Sequence, residues 1–294
     1  MSKSSDDKKV LAQFLANKCV LIDPVRSDED NDVWTSLLTL LRQLWGSYEN
    51  YLHEDYLRGL KSLDISTSKI PSLSDINTML SSIGWSAVYV DGMVDDRLYQ
   101  EMQAAQIFPI ARHIRRKRDI FHSAAPDFMH DVIGHLPMLF SPQYRSLLNE
   151  WARSALTAAP DSKDIEARMT LLELIEEREK ERPNVDAIAK KTTDLEELYR
   201  GIDLSPSRAA RFARFYAWAV EFGVMRANDD DDVKISGSAA LSSPGEFNRI
   251  VSGETQMRSF SAYAITSPVN YSVVQDTMFV ARDFSEYSQV LAGI

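Results

Sequence analysis

The sequence has very little cysteine and no long apolar run, and each shortage excludes a class of protein. Cys19 is the single cysteine among 294 residues, so the chain can form neither an internal disulfide nor a zinc site built from several thiolates. Nowhere do 18 uncharged apolar residues follow one another, and no apolar signal segment follows the polar first residues. We therefore expect a cytoplasmic protein with no membrane association.

Basic residues are also in short supply. The 33 Lys and Arg face 43 Asp and Glu, a formal net charge of −10, and such a field repels phosphate backbones. We expect a small-molecule partner and no nucleic acid. The exception is the basic run at 112–118, which is either a solvated face or an anion-binding segment.

The apolar pattern indicates the fold class. Apolar residues recur at helical spacing through most of residues 33–225, and short β-like runs occur at 86–90, 233–235, 271–274 and 278–281. The chain is therefore expected to be mostly α with a small β-sheet (α+β). Helices are predicted, among others, at 95–108 and 205–225.

Residues 1–30 are interpreted as an N-terminal arm and 31–294 as one catalytic domain. Within that domain, a charged block at about 158–203 is predicted to form two amphipathic helices split at Pro183.

Two of the five histidines lie close together in the segment Pro-Asp-Phe-Met-His-Asp-Val-Ile-Gly-His-Leu-Pro at 126–137. On an ideal helix His130 and His135 would be about 140° apart, so both reach one ion only at a frayed or distorted helix. The alternative is that the two histidines bind no common ion, and that one of them caps a helix while the other is buried in the core. The zincin pattern His-Glu-x-x-His is absent, which argues against a zinc hydrolase.

Glu221 lies in the apolar stretch Phe-Tyr-Ala-Trp-Ala-Val-Glu-Phe-Gly at 215–223. Burying a carboxylate there is costly unless it pairs with an arginine or coordinates a metal. Two histidines and one carboxylate leave three positions open on non-haem Fe(II), which is the arrangement of an oxygenase.

Three motifs carry a family resemblance. Residues 114–139, with His-Asp-x-x-Gly-His-x-Pro, resemble the aromatic amino acid hydroxylases, tetrahydropterin-dependent iron enzymes that act on phenylalanine, tyrosine or tryptophan. Residues 215–223 are similar to that family's Phe-Tyr-x-x-x-Val-Glu-Phe-Gly helix, and 237–246 to its Gly-Ala-Gly-Leu-Leu-Ser-Ser segment. The order of the upstream motifs is that of compact bacterial members, and the resemblance runs from about residue 33 onward apart from the charged block.

The resemblance implies three groups of site residues. The implied iron ligands are His130, His135 and Glu221. The implied substrate residues are Arg115 for the carboxylate, Ser123, Asp127 and Ser242 around the head group, and Ala217 and Phe222 beside the ring. The implied pterin contacts are Val94, Tyr99, Asp131, Ala213 and Tyr216; for Val94, Tyr99 and Ala213 ordinary core packing is the alternative.

The chain departs from the family pattern at three places. Ala217 replaces a bulky aromatic residue and should enlarge the substrate pocket. Ala125 replaces a glutamate before Pro-Asp. Glu221 follows His135 by 86 residues, about twice the family's separation, and the surplus coincides with the block at 158–203. That insertion is a lid, a self-association surface or a docking element.

The expected function is that of a pterin-dependent, non-haem Fe(II) monooxygenase that hydroxylates the ring of a free aromatic amino acid, with tryptophan or phenylalanine favoured and O2 as co-substrate. One alternative is an iron oxygenase of the same fold acting on another aromatic substrate. The other is a non-catalytic family member that binds a partner, against which the intact ligand set and Arg115 argue. Without the terminal coiled-coil helix of animal members, we expect a monomer or a small homo-oligomer.

Overall fold

In the residues that the structure describes, the protein is mostly helical with two small sheets, which confirms the predicted fold class. The computed structural model describes residues 19–91, 94–123, 125–180, 182–228, 231–271 and 273–294, so residues 1–18 of the predicted arm lie outside it. The α-helices are α1 Asp28–Ser47, α2 Glu54–Leu63, α3 Leu73–Ser81, α4 Asp96–Ala104, α5 Leu136–Met138, α6 Pro142–Ala155, α7 Ser162–Glu179, α8 Val185–Leu204, α9 Arg208–Tyr216, α10 Ser238–Ser242, α11 Pro244–Val251 and α12 Phe284–Ala292. Two π-helical turns, His130–His135 and Ala217–Glu221, and three 3₁₀ turns, Glu49–Tyr51, Lys117–Asp119 and Ala264–Thr266, complete the helical part.

The strands form one sheet from the first half of the chain and one from the second. They are β1 Cys19–Val20, β2 Ser86–Val90, β3 Ile107–Ala111, β4 Val224–Met225, β5 Lys234–Ile235, β6 Gln256–Ser259 and β7 Thr277–Ala281. The first sheet has the order β1-β2-β3 and the second β5-β4-β7-β6. Strand β2 pairs antiparallel with β1 and parallel with β3, whereas β7 lies parallel to both β4 and β6.

The helix predicted at 95–108 is wrong in its last four residues. Helix α4 ends at Ala104, Gln106 turns the chain with a φ of 60°, and a buried strand, β3, follows. Pro109 is tolerated there because β3 is an edge strand, so one side of its backbone needs no partner strand. Pairing with β2 therefore decides the conformation of a segment whose apolar residues also suit a helix.

The boundary predicted at residue 30 differs from the structure. Cys19 and Val20 pair with Val90 and Tyr89, so this part of the predicted arm belongs to the first sheet. Helix α1 begins at Asp28, where Ser27 and Asp30 form a capping box.

The predicted strand at 271–274 is also wrong, because residues 271, 273 and 274 lie outside the strands. The backbone N–H of Gln275 instead donates to both oxygens of the buried Glu246 carboxyl group, at 3.1 and 3.2 Å, and ties this segment to α11. The fourth strand of the second sheet is β6, and the helix predicted at 205–225 begins at Arg208 and ends in the π turn at Glu221.

One large apolar core joins the two sheets and most helices, with Trp34, Tyr56, Phe128 and Phe215 among its fully buried side chains. Helices α7 and α8 form the two helices predicted for the charged block and have a small core of their own, which consists of Ala167, Leu174, Leu195 and Ile202. Among the described residues no helix is both long enough and apolar enough to cross a membrane.

Candidate active site

Both π-helical turns lie at the predicted site. His130 and His135 are the first and last residues of one turn, and Glu221 ends the other. In a π-helix each turn closes between residues i and i+5, so residues five apart lie nearly above one another. The distortion that the spacing of the two histidines required is therefore present.

Packing from α2 and the proline at 137 favour the first π turn. Pro137 has no N–H to donate to the carbonyl of Ile133, the acceptor that an α-helix would assign to it. The hydroxyl of Tyr56, a fully buried residue, donates to that carbonyl instead, at 2.8 Å. The N–H of Leu136 reaches back to the Asp131 carbonyl, five residues away.

Three side chains converge at the centre of the site. The Nε2 atoms of His130 and His135 are 3.1 Å apart. The two Glu221 carboxylate oxygens lie 3.2 Å from Nε2 of His130 and 3.3 Å from Nε2 of His135. All three residues are buried, with 7%, 1% and 7% of their surface exposed. Two imidazole nitrogens and one carboxylate group this close, on buried side chains, could hold a metal ion.

Outward hydrogen bonds orient these three side chains. Nδ1 of His130 lies 3.2 Å from Oγ of Ser242, and Nδ1 of His135 lies 3.2 Å from the hydroxyl of Tyr144. The Ser238 hydroxyl donates to Oε2 of Glu221 at 2.7 Å. Because both Nδ1 atoms have hydrogen-bonding partners away from the centre, both Nε2 atoms face the centre. This is the usual arrangement of metal-binding histidines.

Ser238 and Tyr144 were missed in the sequence. Ser238 begins helix α10 and Tyr144 lies in the first turn of α6. Each contacts its partner from a different secondary-structure element, so no helical or strand spacing in the sequence links the two residues. Only tertiary packing could reveal these contacts.

The electrostatics of the centre are those of a cation site. Burial alone would raise the pKa of Glu221, but the two histidines hold it well below its ordinary value. Burial lowers the pKa of His135, whereas at His130 the adjacent Glu221 carboxylate outweighs burial and raises the pKa. A buried carboxylate facing two imidazoles favours a positive charge between them.

Asp131 offers a second carboxylate nearby. Its ligand-type atom and those of His130 and His135 lie within 4.8 Å of one another. One of its oxygens, however, accepts the backbone N–H of Ala111 at 2.7 Å, and burial raises its pKa to about 7. Glu221 is the better third ligand because it contacts both Nε2 atoms and carries the charge.

Arg115 and Asp127 form a buried ion pair beside the centre. The Asp127 carboxylate accepts hydrogen bonds from Nε and NH2 of Arg115 at 3.1 and 2.7 Å, and from the backbone N–H of His130 at 3.0 Å. Burial opposes ionisation of Asp127, but Arg115 lowers its pKa to about 2. The NH1 group of Arg115 is buried without a hydrogen-bond partner among the described residues. One guanidinium edge is therefore free to bind an anionic group.

Tyr99 and Tyr216 meet near His135. Their hydroxyl groups are 2.5 Å apart, and the Tyr216 ring packs on Trp151 at an interplanar angle of 43°, with ring centroids 4.5 Å apart. The Tyr216 and His135 ring centroids are 6.4 Å apart. The structure thus brings two of the predicted pterin residues together close to His135.

The remaining predicted residues have different surroundings. Phe222 is buried beside Trp218 and Tyr271, and Ala217 is fully buried in the second π turn. Val94 is partly buried, whereas Ala213 is exposed on α9, so ordinary core packing does not explain Ala213. Ser123 donates to the Ala125 carbonyl at 2.8 Å.

Ser242 lies behind His130. Its hydroxyl donates to the Ser238 carbonyl at 2.7 Å, and its Oγ lies 3.2 Å from Nδ1 of His130, so it supports a side chain of the candidate metal centre.

The basic run at 112–118 is largely neutralised by acidic partners. Arg112 pairs with Asp91, Lys117 with Asp32 and Arg118 with Asp119, in addition to the buried pair of Arg115. The structure therefore favours the solvated face over a general anion-binding segment.

A substitution at Gly134 tests the packing that brings the two π turns together. A Cβ atom at this position would lie 2.5 Å from the backbone carbonyl oxygen of Ser238, the residue that contacts Glu221. We expect Gly134→Ala to lower the free energy of unfolding by about 1–3 kcal/mol, as overpacking does, and to weaken metal binding. Urea unfolding measures the first effect and metal titration the second.

Gly46→Ala is the matched control. Gly46 lies in α1 with no atom within 4 Å of its added Cβ, so the change should stabilise the protein by roughly 0.5–1 kcal/mol. A Gly134→Ala protein as stable as the Gly46→Ala protein would contradict the close approach of π turn and α10.

Comparison with known proteins identifies the family. Residues 19–173 and 199–293 match the profile of a family described as "Biopterin-dependent aromatic amino acid hydroxylase". Phenylalanine-4-hydroxylase of Pseudomonas aeruginosa is 25% identical over 265 residues, which span 90% of this chain and 82% of the relative. The Caulobacter vibrioides protein of the same name is 26% identical over 218 residues, 74% of this chain and 57% of the relative.

Solved structures share the fold. Phenylalanine hydroxylase from Chromobacterium violaceum, crystallised with iron and phenylalanine, has a TM-score of 0.66 at 22% identity, covering 94% of this chain and 83% of that one. The enzyme from Legionella pneumophila has a TM-score of 0.68 at 21% identity, covering 91% and 87%. The resemblance that the three motifs predicted is confirmed, and the chain belongs to the biopterin-dependent aromatic amino acid hydroxylase family.

Proposed function

We propose that this protein is a non-haem iron monooxygenase that uses a reduced pterin and O2 to hydroxylate the ring of free phenylalanine. The convergence of His130, His135 and Glu221 carries the proposal. Phenylalanine is preferred because the relatives above are named phenylalanine hydroxylases. The prediction of tryptophan as the substrate rests only on the enlarged pocket expected at Ala217.

The three side chains fit an iron ion. Neighbouring ligand atoms of an octahedral ion with bonds of about 2.1 Å are roughly 3.0 Å apart. The separations here are 3.1, 3.2 and 3.3 Å. The related C. violaceum enzyme was crystallised with iron, and two imidazoles with one carboxylate form the ligand set of non-haem Fe(II) oxygenases. Iron and reduced pterin, when bound, supply the activation of O2.

The chain's own residues bind and orient the reactants. The unpartnered NH1 of Arg115 binds the substrate carboxylate, and Asp127 keeps the guanidinium in place and links it to the backbone of His130. Phe222 and Ala217 border the aromatic ring. Since these side chains are buried, water is kept away from the reacting atoms.

The pterin binds beside Tyr99 and Tyr216, near His135. Tyr99 and Tyr216 offer aromatic surfaces there, with Val94, Ala213 and Asp131 as further contacts. The hydrogen bond between the two tyrosine hydroxyls fixes both rings, so this wall of the pocket is ordered before the pterin binds. Ser242 and Ser123 remain candidates for the substrate side, with Ser242 acting through His130.

We also propose that residues 31–294, together with strand β1, form the catalytic domain and that the α7–α8 hairpin is an insertion at about 158–203. The interruption of the family match between residues 173 and 199 supports this division. The monomeric or small oligomeric state stays a prediction.

The decisive experiment loads the purified protein with Fe(II) and supplies a tetrahydropterin with phenylalanine, tyrosine or tryptophan in turn. We expect oxygen uptake and a product heavier by one oxygen atom from phenylalanine, only when iron and pterin are both present. Stoichiometric iron without product from any of the three would favour another aromatic substrate. A protein that binds no iron would favour the non-catalytic alternative.

Substitutions at Ala217 test the preference for phenylalanine over tryptophan. In Ala217→Trp an indole ring would occupy the space that the family's bulky residue takes, so larger substrates should be excluded. We expect kcat/KM for phenylalanine relative to tryptophan to rise at least about tenfold, since a steric mismatch in a pocket costs on the order of 1–3 kcal/mol.

Ala217→Leu serves as a graded control with an intermediate side chain, and thermal unfolding checks that each variant is folded. The neighbouring Trp218 is held by contacts of its own, because its N–H donates to the Ser267 carbonyl at 3.2 Å and its ring packs on Phe279. An unchanged substrate ranking across the series would remove Ala217 from the pocket wall.

A further inference from the structure

The α7–α8 hairpin is a well-formed unit with contacts of its own. Apolar side chains from both helices form its small core, and Lys191 of α8 pairs with Glu173 of α7. Most of its other charged side chains face solvent. Because the hairpin has a core of its own, it can hold a residue elsewhere in the domain in a fixed position.

Arg168 of α7 reaches out of this hairpin. Its NH2 group donates a hydrogen bond to the backbone carbonyl of Val94 and lies 3.3 Å from Oδ1 of Asp96. Only 20% of the Arg168 side chain is exposed. Because this cation is mostly removed from water, its contacts should be stronger than those of an exposed ion pair.

The two groups that Arg168 contacts flank the start of helix α4. Between them lies Asp95, the N-cap, whose carboxylate accepts the N–H groups of Arg97 and Leu98 at 3.0 and 3.4 Å. Tyr99 follows one turn later and reaches the hydroxyl of Tyr216. The position of Tyr99 therefore depends on where α4 begins.

The base of the same hairpin is tied to the helix that carries Tyr216. Ser207, the N-cap of α9, donates to Asp164 of α7 at 2.5 Å. Asp203 of α8 accepts a hydrogen bond from Arg214, two residues before Tyr216. The hairpin thus connects the helices that hold the two tyrosines, one at its base and the other through Arg168.

We propose that the α7–α8 hairpin braces the pterin-binding segment 94–99 and that Arg168 is the positioning residue that does so. The proposal rests on the proposed function, in which Val94 and Tyr99 contact the pterin. A segment that is already held needs less ordering when the ligand binds. Loss of Arg168 should therefore weaken pterin binding while the metal and amino acid sites remain.

The test compares Arg168→Ala and Arg168→Lys with the control Lys191→Ala, which removes another hairpin cation that does not contact segment 94–99. Calorimetry measures the Kd of 7,8-dihydrobiopterin for each iron-loaded protein. Steady-state kinetics give KM for the tetrahydropterin and for phenylalanine, and hydrogen exchange follows the amides of residues 94–99.

For Arg168→Ala we expect Kd and pterin KM to rise about tenfold, the size expected from one charge-assisted hydrogen bond. Exchange in segment 94–99 should accelerate, while kcat at saturating pterin and KM for phenylalanine change less than about twofold. Arg168→Lys should recover part of the loss, because an ammonium group can still donate to the carbonyl. Lys191→Ala should match the wild type.

Unchanged pterin affinity and exchange in Arg168→Ala would overturn the proposal and leave the proposed function intact. The same losses in Lys191→Ala would also overturn it, because the hairpin would then act only through overall stability. A wild-type protein that binds iron but neither binds dihydrobiopterin nor consumes tetrahydropterin would overturn the proposed function, and this proposal with it.

Discussion

His135→Ala should abolish stoichiometric Fe(II) binding and, with it, substrate hydroxylation. The Nε2 atom of His135 is 3.1 Å from that of His130 and 3.3 Å from Glu221, so its removal takes away one of three converging ligands. Loss of a group that merely orients a ligand costs about 10–100-fold in metal affinity or activity. We expect loss of the ligand itself to exceed a hundredfold. Metal analysis after desalting and the oxygen-uptake assay measure the two effects.

His113→Ala is the control for this experiment. His113 is exposed and lies outside the converging set, so its variant should bind iron and turn over as the wild type does. Near-ultraviolet circular dichroism would establish that the His135→Ala core is still packed. A folded His135→Ala protein that retains iron and activity would remove the metal assignment.

Arg115→Lys should raise the KM for the amino acid by roughly 10–100-fold, the equivalent of about 1.5–3 kcal/mol for charge-assisted hydrogen bonds. Arg115 uses Nε and NH2 for Asp127 and keeps NH1 free. A lysine has a single ammonium group and cannot bind Asp127 through two nitrogens while presenting a third to a substrate carboxylate. We therefore expect a smaller effect on kcat than on KM.

Arg116→Lys, at the exposed neighbouring position, is the matched control and should leave KM unchanged. A second comparison uses phenethylamine, which keeps the ring and the amino group of phenylalanine but lacks its carboxylate. The wild type should discriminate strongly against it, and Arg115→Lys much less. If both proteins discriminate equally, Arg115 does not bind the carboxylate.

Much of the fold could be predicted from the sequence where local signals are strong. The Ser72-x-x-Asp75 capping box begins α3, Ser141-Pro142 begins α6, and the β-branched run at 86–90 is strand β2. In each case the cap, the proline or the run of β-branched and aromatic residues acts over a few residues. The sequence is sufficient there because no distant partner is needed to choose the conformation.

Prediction failed where a distant partner chooses the conformation. Residues 107–111 are a strand because β2 is available beside them, and residues 273–274 lie outside the sheets because Gln275 is hydrogen-bonded to Glu246. Local composition suits the rejected structure about as well in both cases, so tertiary contacts decide.

At the site, residue chemistry was sufficient to select His130, His135 and Glu221 as candidates, because few other residue types can bind a metal ion, and the family resemblance added Arg115. The sequence also indicated that two histidines five apart require a distorted helix. What only the tertiary structure decided is how the distortion arises and what supports it: the carbonyl of Ile133 finds its donor in Tyr56, Ser238 reaches Glu221, and Arg168 reaches Val94. Each of these contacts joins residues far apart in the chain, and such pairs form only when the packed core brings their backbones together.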